Sequence, residues 1–208
     1  MSRRVKICGL NDAAGLDAAV AAGADYIAFN FFPPSPRAVT PAGAAALSAR
    51  HTGGPLRIGL FVKPSDDEVA AVLDAMHLDI LQLYVDPARA RAVRARFGRP
   101  VWRAHGVSSA ADLPAGNEGA DALLIEAKPP EGASRPGGNA VSFDWSVMAG
   151  WRAPGDWVLA GGLTPDNVAA AIAITGAPCV DVSSGVERSR GVKDPALIRA
   201  FIAAARAA

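Results

Sequence analysis

The sequence predicts an α/β protein: a single compact (β/α)8 (TIM) barrel spanning residues 1–208, with a shortened fifth helix. Eight short apolar runs alternate with helical stretches from one end of the chain to the other. The strands are apolar almost throughout, which is typical of parallel strands covered by helices. No low-complexity linker divides the 208 residues, a length that favours one domain. An open doubly wound sheet is the alternative, but no glycine-rich dinucleotide fingerprint follows the first strand.

In the first half of the chain, cap residues and the 3.6-residue period indicate the helices. Asn11 and Asp12 precede the first helix, and Gly23 ends it. Val69 and Val72 lie on one face of the third helix. The predicted strands here are residues 5–8, 26–31, 57–62 and 80–83, and the second and third helices are 41–49 and 65–76. The fourth helix carries Val93 and Phe97 among exposed arginines.

The second half repeats the pattern with weaker helices. Its predicted strands are residues 101–104, 122–126, 157–160 and 179–182. The helical segments are a weak one near 110–113, a short one near 144–148, and longer ones at 166–174 and 195–207. The longest loop, about 128–141, is rich in proline and glycine. Eight strands in this order are most simply closed into a barrel.

Composition excludes several classes of function. Half of the residues are hydrophobic, which excludes disorder. The 21 basic and 20 acidic residues give a charge of +1, with no basic block, so nucleic acid and anionic membranes are poor partner candidates. No membrane-spanning run or signal core is present, and we expect a soluble cytoplasmic protein. No cluster has metal-ligand spacing, so no metal is expected.

Barrel enzymes carry their sites at the carboxyl ends of the strands. Cys8 ends the first strand, and Lys6 lies on the same side of that strand, where its charge would favour the thiolate. Simple packing is the alternative for Cys8, since free cysteine is usually buried. Cys179 begins a strand at the opposite end of the barrel and is interpreted as a packing residue. His105 follows the fifth strand and is a weaker candidate.

Glu126 ends a wholly apolar run, so its carboxyl group is either an acid or base in the cavity or half of an ion pair. Lys128 and Lys6 are the candidate partners for such a pair. Arg37, in a proline-rich loop, can form two hydrogen bonds to a carboxylate. A solvated loop arginine is the alternative for Arg37.

Two glycine-containing loops follow the seventh and eighth strands, where barrels commonly bind phosphate through backbone N–H groups. Glycine allows a phosphate oxygen to approach the main chain closely. A further glycine pair in the sixth loop would add a third donor group. Simple chain turning is the alternative. The candidate phosphate-binding residues are Gly161, Gly162, Ser183, Ser184, Gly185 and, in the sixth loop, Gly138.

Several of these candidates belong to longer strings. They are Lys6-Ile7-Cys8-Gly9-Leu10, Ser35-Pro36-Arg37, Phe143-Asp144-Trp145, Leu159-Ala160-Gly161-Gly162-Leu163 with Pro165 and Asn167-Val168, and Val180-Asp181-Val182-Ser183-Ser184-Gly185-Val186-Glu187 with Gly191 and Lys193-Asp194. Together and in this order, from about residue 4 to residue 202, the strings resemble phosphoribosylanthranilate isomerase. Several such strings together are a specific match.

The resemblance implies a barrel enzyme of tryptophan biosynthesis that performs an Amadori rearrangement of N-(5-phosphoribosyl)anthranilate without a cofactor. It implies that Cys8 is the general base and that Glu126 occupies the position of the general acid. It further implies that Arg37 binds the anthranilate carboxylate and that Asp181 contacts the anthranilate portion. The glycine loops would hold the phosphate. The expected partner is a phosphorylated aminosugar, and the chain is expected to be a monomer or a homodimer.

The sequence departs from the family pattern at four places. Glu126 replaces the usual aspartate, Tyr84 and Val85 replace a usual His-Gly, Asn30 replaces an apolar residue, and the sixth loop has one glycine fewer after Gly138. These departures leave open a catalytically silent phosphate-metabolite binder. A related sugar-phosphate isomerase, such as the aminoimidazole carboxamide ribotide enzyme, is another alternative. Cys8 counts against it, because that family typically has aspartate there.

Overall fold

Eight parallel strands form a closed barrel in which each strand pairs with its sequence neighbours and the first strand pairs with the eighth. The computed structural model describes residues 3–128 and 142–208. The closed ring of eight parallel strands confirms the predicted barrel. The strands are β1 (Arg4–Cys8), β2 (Tyr26–Asn30), β3 (Leu56–Val62), β4 (Ile80–Tyr84), β5 (Val101–Val107), β6 (Ala122–Ala127), β7 (Trp157–Leu159) and β8 (Cys179–Val182).

In the part of the chain that the structure describes, six α-helices surround the barrel: α1 (Ala13–Ala21), α2 (Pro41–Ser48), α3 (Asp66–Ala75), α4 (Pro87–Phe97), α5 (Val168–Thr175) and α6 (Pro195–Ala207). Side chains cap the first turns of five of these helices, whereas Asn167 before α5 makes no such bond. The cap at Asp12 agrees with the sequence prediction. The Asp12 carboxylate accepts from the Gly15 N–H at the start of α1, and Ser65 and Glu68 form a capping box at α3. None of the helices in the described residues is long and apolar enough to cross a membrane.

Within residues 3–128 and 142–208, the connections after β5 and β6 contain only short 3-10 helices. Ala110–Asp112 follows β5, which agrees with the predicted shortened fifth helix, and Trp145–Met148 follows β6. Five strand ends differ from the prediction. β2 and β7 end one residue earlier, at Asn30 and Leu159, and β6 ends one residue later, at Ala127. β5 continues to Val107 because it pairs with β6 along its length, and β4 continues to Tyr84, which pairs with Val62 of β3. After β8, a 3-10 helix (Ser184–Val186) and a small hairpin of β9 (Glu187–Ser189) and β10 (Val192–Lys193) precede α6.

Alternate residues of each strand face two different cores. One set, which includes Ile7, Phe29 and Leu83, packs in a large cluster with the helices. The other set fills the barrel interior. The interior cluster comprises Cys8, Tyr26, Ala28, Ile58, Leu60, Ile80, Trp102, Ala122, Leu124, Val158, Ala160 and Cys179. Because both faces of every strand are covered, the strands are apolar throughout.

Strand register sorts the interior side chains into layers. Neighbouring strands of such a barrel are staggered by about one residue each, so four alternate strands contribute to one layer. The strand pairings give a layer of Cys8, Leu60, Ala104 and Ala160. The next layer towards the carboxyl ends of the strands contains Asn30, Tyr84 and Glu126. The layer on the other side of the Cys8 layer contains Ala28, Gln82, Leu124 and Asp181. The polar interior residues therefore concentrate near the mouth of the barrel.

Candidate active site

Cys8 and Glu126 lie in adjacent layers of the barrel interior, at the carboxyl ends of β1 and β6. Each retains only 6% of its accessible surface. The other members of the Cys8 layer include two alanines, Ala104 and Ala160, whose short side chains leave space in the centre. A thiol and a carboxyl group therefore share the mouth of the barrel. Both side chains lie in the barrel interior.

Burial raises the pKa of the Cys8 thiol above its ordinary value, because a thiolate is poorly solvated there. The positive charges of Lys6 and Lys193 oppose this effect, and the negative charge of Asp181 adds to it. The expected influence of Lys6 on the thiolate is present, although burial outweighs it. The thiol therefore remains mostly protonated at neutral pH, next to a cation that favours its ionised form.

Lys6 is completely buried and forms an ion pair with Asp181, with Nζ 2.8 Å from Oδ1. Register places the two residues side by side on β1 and β8. Burial alone would lower the pKa of Lys6, but Asp181 and Cys8 outweigh it and raise the pKa. Lys6 is therefore a permanent cation in the barrel interior.

The carboxyl group of Glu126 has a pKa raised to about 8, and burial is the main cause. The charge of Asp181 raises it further, whereas a hydrogen bond from Tyr84 and the charge of Lys6 lower it. Neither predicted partner forms an ion pair with Glu126, because Lys128 pairs with Asp112 and Lys6 pairs with Asp181. Glu126 is thus a buried carboxylic acid that holds its proton at neutral pH.

Arg37 is 4% exposed and holds the Glu187 carboxylate in two hydrogen bonds, 2.6 Å from Nε to Oε1 and 3.0 Å from Nη2 to Oε2. The solvated-arginine alternative is therefore wrong. Burial would raise the pKa of Glu187, but Arg37 and Lys193 outweigh it and lower the pKa to about 2. Two of the five guanidinium N–H groups are used in this contact, which leaves the others for a ligand.

Lys193 and Asn30 organise the site, and sequence reasoning did not assign either a role. The buried Lys193 ammonium donates to the Ser183 carbonyl at 2.8 Å and to Glu187 Oε1 at 2.9 Å. Asn30 donates to Ser35 Oγ at 3.1 Å, and the same oxygen accepts from the Arg37 backbone N–H. A buried polar residue at the end of an apolar strand was the only available signal for Asn30.

The two glycine loops approach each other so closely that larger residues would not fit. A Cβ at Gly185 would lie 1.9 Å from the carbonyl oxygen of Leu163. Gly161 and Gly162 have φ angles of 87° and 65°, in the left-handed region. Among the hydrogen bonds of the described residues, none uses the backbone N–H groups of Gly162, Ser184 or Gly185.

Two further candidates have definite positions, and one cannot be placed. His105 lies outside the barrel interior, where its ring contacts the Asp112 carbonyl at 2.6 Å. Cys179 packs in the interior at the other end of the barrel, and burial raises its pKa to about 12. Both positions exclude a direct part at the mouth. Gly138 falls outside the described residues.

Comparison with known proteins decides which family has this arrangement. The family model described as N-(5'phosphoribosyl)anthranilate (PRA) isomerase matches residues 5–204. The chain belongs to this isomerase family. An N-(5'-phosphoribosyl)anthranilate isomerase from Granulibacter bethesdensis is 56% identical, with 99% of each chain covered. The enzyme of that name from Acidiphilium cryptum is 57% identical over the same share of both chains.

Solved structures of the family have the same barrel. TrpF from Jonesia denitrificans superposes with a TM-score of 0.84 at 37% identity, covering 99% of this chain and 97% of that one. A phosphoribosyl anthranilate isomerase in complex with reduced 1-(o-carboxyphenylamino)-1-deoxyribulose 5-phosphate has a TM-score of 0.82 at 31% identity, covering 99% and 100%. The resemblance found in the sequence is confirmed.

Proposed function

We propose that this chain isomerises N-(5-phospho-β-D-ribosyl)anthranilate to 1-(2-carboxyphenylamino)-1-deoxy-D-ribulose 5-phosphate, a step of L-tryptophan biosynthesis. One observation carries the mechanism: a protonated carboxyl group and a thiol beside a lysine share the mouth of the barrel. The reaction needs one proton donor and one proton acceptor and no external oxidant, since C1′ is reduced as C2′ is oxidised. Family membership supports the substrate.

Glu126 is the general acid that opens the ribose ring. It gives its proton to the ring oxygen as the bond from C1′ to that oxygen breaks, and the nitrogen lone pair forms the C1′=N double bond of a Schiff base. A pKa of about 8 keeps most of the carboxyl protonated at neutral pH. An acid whose pKa is near the working pH combines the correct protonation state with ready proton release.

Cys8 is the general base that removes the proton from C2′. The electrons of the C–H bond form a C1′=C2′ double bond while those of the C1′=N bond return to nitrogen. Loss of the C2′ hydroxyl proton and protonation at C1′ then give the ketone. The working form of the pair therefore carries one proton on Glu126 and none on Cys8, and Lys6 favours this thiolate. The two groups titrate as a pair.

The remaining predicted residues bind the substrate. Arg37, fixed by Glu187, has N–H groups left for the anthranilate carboxylate. Asp181 has one oxygen on Lys6 and the other for the anthranilate portion. The phosphate sits between the loops that follow β7 and β8, held by the unused N–H groups of Gly162, Ser184 and Gly185. Gly161 and Ser183 shape the same loops, and the monomeric or homodimeric state stays a prediction.

The test is to add N-(5′-phosphoribosyl)anthranilate to the purified chain and to follow the fluorescence of the anthranilate group. We expect the signal to change at a rate proportional to enzyme concentration. Binding without conversion would contradict the proposal and favour a phosphate-metabolite binder. Conversion of the related isomerase's own aminosugar substrate at a much higher kcat/KM than this one would favour the aminoimidazole carboxamide ribotide enzyme.

A further inference from the structure

Tyr84 and Glu126 occupy neighbouring positions in one interior layer of the barrel. They project from β4 and β6, which flank β5. The interior residues of β5 at this height are Ala104 and Gly106, paired with Leu124 and Glu126. Because neither has a side chain beyond Cβ, nothing on β5 separates the tyrosine ring from the carboxyl group. The Tyr84 hydroxyl is close enough to the Glu126 carboxyl that each group shifts the pKa of the other.

We propose that Tyr84 is a positioning residue for Glu126. Its hydroxyl donates to the carboxyl oxygen, which holds the long glutamate side chain in one orientation and stabilises the carboxylate once the proton has passed to the ring oxygen. Glutamate has one more rotatable bond than aspartate, so an external contact is needed to fix it. The inference rests on the proposed role of Glu126 as the acid.

The charged groups that face Glu126 come from only a few elements. β1 contributes Lys6, and β8 contributes Asp181. β5 and β7 contribute no titratable interior side chain in the described residues at this height. Tyr84 itself also feels the negative charges of Cys8 and Asp181, and its own pKa is raised well above the ordinary value, chiefly by burial. The hydroxyl therefore remains a donor throughout the useful pH range.

The direction of the effect on Glu126 follows from what the hydrogen bond stabilises. A donated hydrogen bond favours the carboxylate, so it lowers the pKa that burial has raised. Without the hydroxyl, Glu126 should hold its proton to higher pH and be a weaker acid. A hydrogen bond to a charged group is strong enough to change an ionisation constant by about tenfold.

The experiment compares Tyr84→Phe with Tyr26→Phe. Each substitution removes one hydroxyl from the barrel interior and keeps the ring. Tyr26 lies at the opposite end, where its hydroxyl accepts from Arg4. The carboxyl stretching band that disappears in Glu126→Gln reports the protonation of Glu126 by infrared titration. For Tyr84→Phe we expect the titration midpoint of the Glu126 band to rise by about one pH unit. We also expect kcat to fall about tenfold with little change in KM.

Unchanged midpoints in Tyr84→Phe, or an equal shift in Tyr26→Phe, would overturn the inference. A double-mutant cycle of Tyr84→Phe with Glu126→Asp provides a second measurement, since the shorter carboxyl group is withdrawn from the hydroxyl. We expect non-additive losses of kcat, and additive losses would count against the contact. Failure of the proposed function has a different signature, because the parent chain would then bind the substrate without converting it, whatever Tyr84 does. Failure of the acid role alone would leave Glu126→Gln with full turnover.

Discussion

Lys6 and Asp181 form a buried ion pair on adjacent strands, with 2.8 Å between Nζ and Oδ1, one interior position below Cys8 on the same strand. A buried pair is weak evidence for stabilisation, since the loss of solvation offsets much of the attraction. Its effect on a neighbouring ionisable group is more direct. Lys6 keeps a positive charge beside the thiol. Asp181 balances this charge within the protein interior, and the lysine remains protonated.

Replacing Lys6 with Met should raise the pKa of Cys8 further, because the charge that favours the thiolate is lost. We expect the midpoint of thiolate absorbance, measured as the difference from Cys8→Ser, to rise by one pH unit or more, about the effect of a nearby opposite charge. An unchanged midpoint would contradict this. Lys6→Met combined with Asp181→Asn is the control for stability, because neither charge is then left unpaired.

Glu126→Gln should stabilise the protein increasingly as the pH rises. The pKa of Glu126 is about 8 in the folded chain and near the ordinary 4.5 when unfolded, so folded molecules bind the extra proton between these values. The free energy of unfolding of the parent therefore falls as pH rises from about 5 to 8, by up to about 5 kcal/mol. Glutamine does not titrate. We expect urea denaturation to show a difference in unfolding free energy between Glu126→Gln and the parent that is larger at pH 8 than at pH 5. A difference that is the same at both pH values would contradict the raised pKa.

Glu187→Gln should destabilise the fold, since it leaves the buried Arg37 and Lys193 without their shared counter-charge. Removing one partner of a buried pair costs about 3–5 kcal/mol. The pKa of Glu187 is lowered to about 2, so this stabilisation is present above pH 4.5 and is lost as pH falls towards 2. Denaturation at neutral pH should reveal the loss. Asp17→Asn, in the exposed pair with Arg50, is the matched control and should change little.

Gly185→Ala should weaken phosphate binding, because the new Cβ would lie 1.9 Å from the Leu163 carbonyl oxygen and force the two loops apart. We expect KM for the substrate and the inhibition constant of inorganic phosphate to rise together, by at least about tenfold, since a displacement near 1 Å has effects of this order or greater. Gly116→Ala is the control, where the closest atom to the new Cβ is 4.0 Å away. Equal phosphate affinity in both variants would remove these loops from the binding site.

The order of strands was predictable because parallel strands buried on both faces are apolar throughout, and β1 and β8 end where the sequence indicates. Helices after β5 and β6 were less predictable. Their short 3-10 turns have little amphipathic periodicity, so only their position in the alternation indicates them.

Individual site residues were predictable where they end an apolar strand, as Cys8 and Glu126 do. Their partners were not, because the contacts join residues far apart in sequence. The bond between Arg37 and Glu187 spans 150 positions, and the one between Lys6 and Asp181 spans 175. Tyr84 likewise reaches Glu126 only because strand register places them in one layer. The local sequence pattern does not indicate such pairings.

The most direct test measures turnover of N-(5′-phosphoribosyl)anthranilate by Cys8→Ser and Glu126→Gln, with Cys179→Ser as the thiol control. Both substitutions remove a proton carrier while keeping a similar volume. We predict that each lowers kcat by at least about a hundredfold, while Cys179→Ser leaves it unchanged. Binding of the reduced product analogue should persist in all three. Full turnover by either Cys8→Ser or Glu126→Gln would contradict the assignment of base and acid.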